Sequence, residues 1–337
     1  MPSYQRSEAR EWARENVRGV VNVIIPSFSN DLRIVNEMGV RHDVRRDIEL
    51  GFAGALMVSE VGTTVDEYVQ CLEWAVDEAK GRLLLVHHAS FNTLEENIEA
   101  ARRAEAAGAE FLLLSYPPNF YPADEQAIYD YTRAVCDATN LGVLLFAITL
   151  WGFERVHPAS LSVDLIDRLI TDCPNIIGVK AEGGHPSIAG FAHVWHRFSD
   201  RVIVTNPIIQ SAIPLATLVP MQVIATSNTE YYGSAIPQIF QLARDGEADK
   251  ALEAFWRITP AWRANESAAA IPAAHIVNRM AWKYQAWLAG FNGGPLRMPT
   301  TRIAWNQMAA FRKGLADAGL SVTGDPDDQF FTGRNPL

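Results

Sequence analysis

Cysteine is scarce in this 337-residue chain: Cys71, Cys136 and Cys173 are far apart and include no CxxC pair. Their spacing excludes a cysteine zinc site and a disulfide framework, and suits a reducing compartment. Basic residues are in deficit, 29 against 39 acidic, for a formal net charge of −10. Such a chain repels polyphosphate, so neither nucleic acid nor an anionic membrane is an expected partner. No run of about 18 uncharged apolar residues occurs, which leaves no membrane-span candidate. The first residues, MPSYQRSEAREWAREN, lack the apolar core of a signal peptide, so the protein is expected to be soluble and cytoplasmic. A GxGxxG fingerprint after the first apolar run, a Walker motif and a GxSxG nucleophile elbow are also missing.

What the chain does contain is a repeated unit: a short apolar run, a loop, then an amphipathic helix. The runs are VVNVIIPSF (20–28), GALMVSE (54–60), RLLLVHHAS (82–90), FLLLSYPP (111–118), GVLLFAI (142–148), NIIGVKAE (175–182), RVIVTNP (201–207) and QVIATSN (222–228). Each is rich in Val, Ile or Leu, as in strands buried on both faces of a parallel sheet. The clearest helix lies at 93–108, where Leu94, Ile98, Ala101 and Ala104 share a face and Gly108 supplies a stop. Segments 64–80 and 160–172 read the same way, the latter with Ser160 as N-cap and Asp164 in the first turn. Eight runs alternating with helices predict an α/β fold, a (β/α)8 TIM barrel with an N-terminal helical lead-in over residues 1–245. A doubly wound open sheet is the alternative, since periodicity does not show closure. Beyond Gly246 the pattern turns helical, at 248–265, 268–288 and 301–318, which predicts a C-terminal helical region over 246–337.

In such a barrel the active site lies at the carboxyl ends of the strands. Of the five lysines, Lys80, Lys250, Lys283 and Lys313 fall in helical patterns, where an ammonium can reach water. Lys180 instead ends the apolar run NIIGVK. Alternation puts Gly178, Lys180 and Glu182 on one face, with Gly178 leaving room for a long side chain. Burial there disfavours an ammonium, the condition a Schiff-base lysine needs at neutral pH. A structural ion pair with Glu182 or Glu60 is the other reading. His87 and His88 are neighbours in a strand and so face opposite ways; one is expected at the barrel mouth and the other outside. No His-x-His or further ligand spacing accompanies them, so no metal site is expected. Aromatics near the predicted mouth, among them Tyr116, Phe120, Tyr121, Trp151, Tyr231 and Tyr232, either pack loops or line a pocket for a bulky apolar substrate.

The strand NIIGVK with its acidic, glycine-containing turn resembles the Schiff-base strand of the dihydrodipicolinate synthase / N-acetylneuraminate lyase family. AARRAEAAGAEFLLLSYPPNFYP is similar to that family's third helix, fourth strand and following loop. QVIATSN resembles its eighth strand, and GGPLRMPTTRI the segment that opens its last helix. The resemblance implies a class I lyase or aldolase that attaches a 2-oxo acid such as pyruvate to Lys180 as an imine. It implies no cofactor, and a homo-oligomer, either tetramer or dimer.

The chain also departs from the family's pattern. LMVSE (56–60) stands where the family carries GTTGE, keeping Glu60 and offering only Ser59 as a hydroxyl. Asn119 takes the place of the tyrosine in the loop after strand four, with Tyr116 and Tyr121 close by to substitute. The tyrosine–asparagine segment after strand five becomes FAITLWGFER, with Arg155 out of register for the family's arginine. The resemblance thus implies Lys180, Tyr121 and Tyr116 as catalytic residues. Together with their position at the strand ends, it gives Ser59, Glu60, His88, Asn119, Glu182, Asn206 and Ser227 as expected substrate contacts. The departures disfavour lysine-precursor synthesis and sialic acid cleavage, and favour a larger, more apolar or aromatic adduct that yields pyruvate. Elimination of water or ammonia through the same imine is an alternative, as is a non-catalytic metabolite-binding protein.

Overall fold

The computed structural model describes residues 2–117, 119–146, 152–181, 187–269 and 277–337. Each of the eight apolar runs forms a strand: β1 (Gly19–Ile24), β2 (Gly54–Met57), β3 (Leu84–Ala89), β4 (Phe111–Leu114), β5 (Gly142–Leu145), β6 (Ile176–Lys180), β7 (Ile203–Thr205) and β8 (Val223–Ala225). They pair in parallel in the order β7-β6-β5-β4-β3-β2-β1-β8. The two ends of that order meet through Thr205, whose hydroxyl donates to the Val223 carbonyl (2.7 Å) and accepts from the Ala225 amide (3.3 Å). A (β/α)8 barrel results, and the open-sheet alternative is dismissed. Every residue of β2, β4, β5 and β6 is buried, which is why those runs are continuously apolar instead of alternating.

Helix α1 (Ala9–Asn16) closes the amino-terminal end of the barrel, where Arg10 donates to the carbonyls of Ile176 (2.9 Å) and Cys173 (3.0 Å). Each strand is then followed by a helix: α2 (Glu37–Leu50), α3 (Val65–Ala79), α4 (Leu94–Ala107), α5 (Glu125–Ala138), α6 (Val163–Asp172), α7 (Ser187–Phe198), α8 (Ile209–Ala216) and α9 (Ala235–Arg244). Thr64 and Thr93 open α3 and α4 with capping boxes completed by Glu67 and Glu96. Gly108 ends α4 at φ 101°, a conformation that side-chain-bearing residues rarely adopt. The buried face of α4 is Asn97, Ala100, Ala101 and Ala104, rotated from the expected Leu94–Ile98 line. Asn97 is drawn inward because its amide bonds the Phe91 backbone on both sides and the Tyr131 hydroxyl. Ser162, not Ser160, caps α6, accepting from the Leu165 amide at 3.0 Å; Ser160 has a positive φ and belongs to the preceding turn.

The C-terminal region is built from α10 (Ala248–Arg257), α11 (Thr259–Ala269), α12 (Arg279–Leu288) and α13 (Trp305–Asp317). The expected helix over 248–265 is two helices, because Pro260 has no amide hydrogen to continue α10 but is tolerated in the first turn of α11. Asn278 starts α12, accepting from the Ala281 amide at 3.0 Å. This helix lies against the carboxyl ends of β1 and β2: Lys283 donates to the Ile25 carbonyl, and Arg279 pairs with Glu60. Lys283, expected to reach water, is 2% exposed. Among the described residues, no helix is long and apolar enough to cross a membrane.

Candidate active site

A cavity of about 350 Å3 opens at the carboxyl ends of the strands, walled by residues of β1–β4 and β6, by Phe146 just after β5, by the loops after β7 and β8, and by α8, α11 and α12. Lys180 ends β6 and projects into it. Its Nζ donates to the main-chain carbonyl of Thr226 at 2.8 Å and lies 3.6 Å from the centroid of the Phe146 ring. The carbonyl and the electron-rich ring face steady a cationic nitrogen without taking its proton. Gly178 makes this strand fit in an unexpected way. A Cβ there would stand 2.7 Å from the Ile203 carbonyl oxygen and 2.9 Å from Leu144 Cδ1. The glycine therefore serves close packing of β5, β6 and β7, and the room for Lys180 comes from the cavity above.

Of the two strand histidines, His88 faces inward and His87 outward, as alternation requires. His87 Nδ1 lies 3.0 Å from the Tyr68 hydroxyl, behind the sheet against α3. The His88 ring spans two serines. The Ser59 amide donates to its Nδ1 at 3.3 Å, with Ser59 Oγ 3.2 Å from the same atom; Nε2 is 2.9 Å from Ser115 Oγ. Since an amide can only donate, Nδ1 is the acceptor and the proton resides on Nε2. That N–H donates to Ser115, which leaves the Ser115 hydroxyl hydrogen for an acceptor in the cavity. Burial, with Arg279 and Lys180 nearby, pushes His88 down to about 4 against the opposing pull of Glu60, so the ring is neutral at neutral pH.

Glu60 is held from both sides: Ser90 donates to Oε1 at 2.7 Å and Arg279 pairs with Oε2. Burial raises its pKa, but Arg279, His88 and Ser90 together outweigh that and hold the carboxyl down at about 2. Glu60 is therefore a fixed carboxylate, committed to Arg279 and Ser90. The Arg279 guanidinium lies 4.7 Å from the Trp282 ring centroid, and both side chains line the cavity.

The expected site residues divide into two groups. Lys180, Glu60, His88 and Ser227 line the cavity, and Ser59 supports it from behind through His88. Tyr116 does not: its hydroxyl lies 2.6 Å from Thr132 Oγ1, and its ring is fully buried beside Phe120, Tyr131 and Phe153. Tyr121 is 71% exposed, with Arg155 5.4 Å from its ring centroid. Asn119 bonds the Asn92 carbonyl at 3.1 Å on the surface. Asn206 is buried beneath the loop after β7, bonding the Ala181 carbonyl and the Ile208 amide. Glu182 and Trp151 lie outside the described residues.

Among the wall residues that went unpredicted are Ser115, Phe146, Thr226 and Arg279. Strand alternation along 111–116 sends Leu113 and Ser115 inward and Leu112, Leu114 and Tyr116 outward, so the local pattern held the signal for Ser115. Phe146 opens the segment that the resemblance assigns to a tyrosine. Arg279 had no local signal, because it arrives from α12, 219 residues beyond its partner Glu60.

The family model described as the dihydrodipicolinate synthetase family matches residues 16–316. A 4-hydroxy-tetrahydrodipicolinate synthase from Methanopyrus kandleri is 21% identical over 313 residues, covering 91% of this chain and 98% of that protein. Among solved structures, dihydrodipicolinate synthase from Aquifex aeolicus superposes with a TM-score of 0.76 at 18% identity, covering 91% of this chain and all of the other. N-acetylneuraminate lyase from Fusobacterium nucleatum gives 0.73 at 20% identity, with coverage of 89% and 98%.

Proposed function

From the premise that the chain belongs to the dihydrodipicolinate synthetase family, whose members are lyases of the Schiff-base aldolase type, we propose that Lys180 forms an imine with a 2-oxo acid and cleaves a pyruvate-yielding adduct. The observation that carries this reading is the Lys180 Nζ, held 2.8 Å from the Thr226 carbonyl at the wall of a cavity of about 350 Å3.

The chemistry follows from the groups around it. Deprotonated Nζ adds to the C2 carbonyl, and the carbinolamine loses its oxygen as water to leave an iminium. That iminium accepts the electron pair of the C3–C4 bond as a hydroxyl on C4 gives up its proton and the aldehyde departs. The enamine left on Lys180 is protonated at C3, and water releases pyruvate and the free lysine. Each proton step needs a donor or acceptor at the wall. The Ser59–His88–Ser115 chain suits that work, with a neutral ring and a hydroxyl hydrogen turned to the cavity. Phe146, Tyr231, Tyr232 and Trp282 line the same cavity and favour an apolar, aromatic remainder on the substrate. A non-catalytic role fits less well, because a metabolite-binding protein gains nothing from a buried lysine at the cavity wall.

The test is borohydride trapping with pyruvate and a panel of 2-oxo acids, read by peptide mass spectrometry. The expected product is an adduct on Lys180 heavier by pyruvate less one oxygen atom. A folded protein that no 2-oxo acid labels would overturn the reading. With the true substrate, release of pyruvate marks carbon–carbon cleavage, whereas an intact carbon skeleton marks elimination of water or ammonia.

A further inference from the structure

Three residues that line the Lys180 cavity each carry a buried donor with no partner among the described residues: Arg279 Nε, Thr226 Oγ1 and Asn228 Nδ2. Their side chains belong to residues that are 8%, 3% and 8% exposed. A buried donor without an acceptor is disfavoured, and native proteins hold few of them. Three at one cavity indicate an acceptor that arrives with the ligand. Of the other polar groups at or behind this wall, Ser59 is engaged by His88 and Ser90 by Glu60, Ser115 keeps its hydroxyl hydrogen for the proton chain, and Asn265 Oδ1, also without a partner, is an acceptor.

We propose that Thr226, Asn228 and Arg279 form the cradle for the carboxylate next to the reacting carbonyl, a deepening that rests on the imine reading of Lys180. The argument from position is direct. A carboxylate on the imine carbon lies two bonds from Nζ, so its anchor must stand within a few ångströms of that nitrogen. Thr226 does, since its carbonyl is 2.8 Å from Nζ. Arg279 supplies the charge. Its pairing with Glu60 uses one terminal nitrogen and fixes the guanidinium plane, while Nε is left to donate. Thus the anion would be gripped by the loop after β8 and by the C-terminal helix α12, and the serine of LMVSE would be free to orient His88.

The cradle also sets a substrate class. Among the described wall residues the only lysine or arginine besides Lys180 is Arg279, and the stretches 118, 147–151, 182–186 and 270–276 contain neither residue type. A second carboxylate on the substrate would meet no further lysine or arginine and would share the cavity with Glu266. The site therefore selects 2-oxo monocarboxylic acids whose remainder is uncharged.

The experiment compares wild type with Arg279→Gln, Thr226→Val and Asn228→Ala by borohydride trapping on Lys180. Pyruvate is set against acetone, which keeps the carbonyl and lacks the carboxylate. The half-saturating pyruvate concentration should rise about ten- to hundredfold in Arg279→Gln and about three- to tenfold in the other two. Acetone trapping should stay within about twofold of wild type in all three. Unchanged pyruvate dependence, or equal shifts for pyruvate and acetone, overturns the cradle and leaves the imine standing. So does a wild type that traps acetone but not pyruvate. A wild type that traps neither overturns the imine reading first and the cradle with it. Should Arg279→Gln fail to fold with Glu60 unpaired, the other two variants decide. For the substrate class, 2-oxoglutarate should trap at least about tenfold less readily than 2-oxopentanoate; equal trapping would overturn the selection.

Discussion

Two lysines are buried in this molecule, and their surroundings differ in kind. Lys180 ends β6 at a cavity, donating to the Thr226 carbonyl beside the face of Phe146. Lys283 sits in α12 against β1, donating to the Ile25 carbonyl within a closed polar cluster. Burial pulls the Lys283 ammonium down to about 8, opposed by the charges of Asp43 and Glu230. Around it, burial raises the carboxyls of Asp43, Asp47 and Glu230, and Asn22 joins Asp47 at 2.8 Å. Lys283 is not among the residues that line the Lys180 cavity. Burial alone therefore does not mark a reactive lysine. A route for substrate to the nitrogen does, and Lys283 instead fastens the C-terminal region to the barrel.

The sharpest way to break that contrast is to remove each amine. Lys180→Ala should abolish borohydride labelling and lower turnover by at least about a thousandfold, since no other group offers an electron sink. Its folding free energy should change little, and denaturant titration checks that. A Lys180→Ala protein that keeps full turnover would end the imine reading. One step smaller is the proton chain beside Lys180. His88→Asn and Ser115→Ala should each cost about a hundred- to ten-thousandfold in turnover. The half-saturating pyruvate concentration for trapping should move far less than turnover, because neither residue belongs to the carboxylate cradle.

Lys283→Met should show the opposite signature. Loss of the amine leaves the buried Ile25 carbonyl without its donor and removes the positive charge near Asp43 and Glu230, and a buried polar group left unsatisfied costs about 1–3 kcal/mol. Denaturant midpoints should fall accordingly while the folded fraction still traps pyruvate on Lys180. A variant as stable as wild type would show that Lys283 fastens nothing.

Much of this contrast was legible in the sequence, and the part that was not has a common cause. The barrel could be read because parallel strands buried on both faces leave uninterrupted apolar runs, each set off by a capped helix. Lys180 could be read because it breaks such a run. Lys283 lies in a helical pattern that looks half-polar, and nothing local says that its polar face meets β1 and its acids instead of water. Arg279 is hidden for the same reason: its partner Glu60 lies on the far side of the sequence. Tyr116 is the reverse case. A tyrosine near the expected position attracted a catalytic role, although strand alternation already turned it outward, toward Thr132 and Phe153. Long-range packing decides Lys283 and Arg279, which periodicity, reporting only local faces, does not reach; for Tyr116 the local period was itself the answer.

Proton linkage offers the smallest effect and separates the two adjacent histidines. Burial holds His88 down to about 4 and His87 to about 3, both below the usual 6.5. Both rings are thus neutral in the folded protein where the unfolded chain already binds protons. Their contribution to stability is fully present above about pH 6.5 and is lost as pH falls toward 4 and 3. Between pH 6.5 and 5 each should remove about 2 kcal/mol, at about 1.4 kcal/mol per pH unit. Glu60, depressed to about 2, adds a further loss only below about pH 4.5, where its unfolded form takes up a proton. Against the opposite slope that the raised carboxyls of Glu110, Asp43, Asp47 and Glu230 contribute, His87→Phe should remove about 2 kcal/mol of acid-side loss between pH 6.5 and 5 relative to wild type, measured by denaturant titration at several pH values. Because the His87 ring lies behind the sheet against Tyr68, pyruvate trapping on Lys180 should be unchanged. His88→Phe should remove a similar amount and also slow turnover. If His87→Phe slowed turnover as much as His88→Phe, the outward face of β3 would be part of the chemistry, and the division of labour between the two rings would fail.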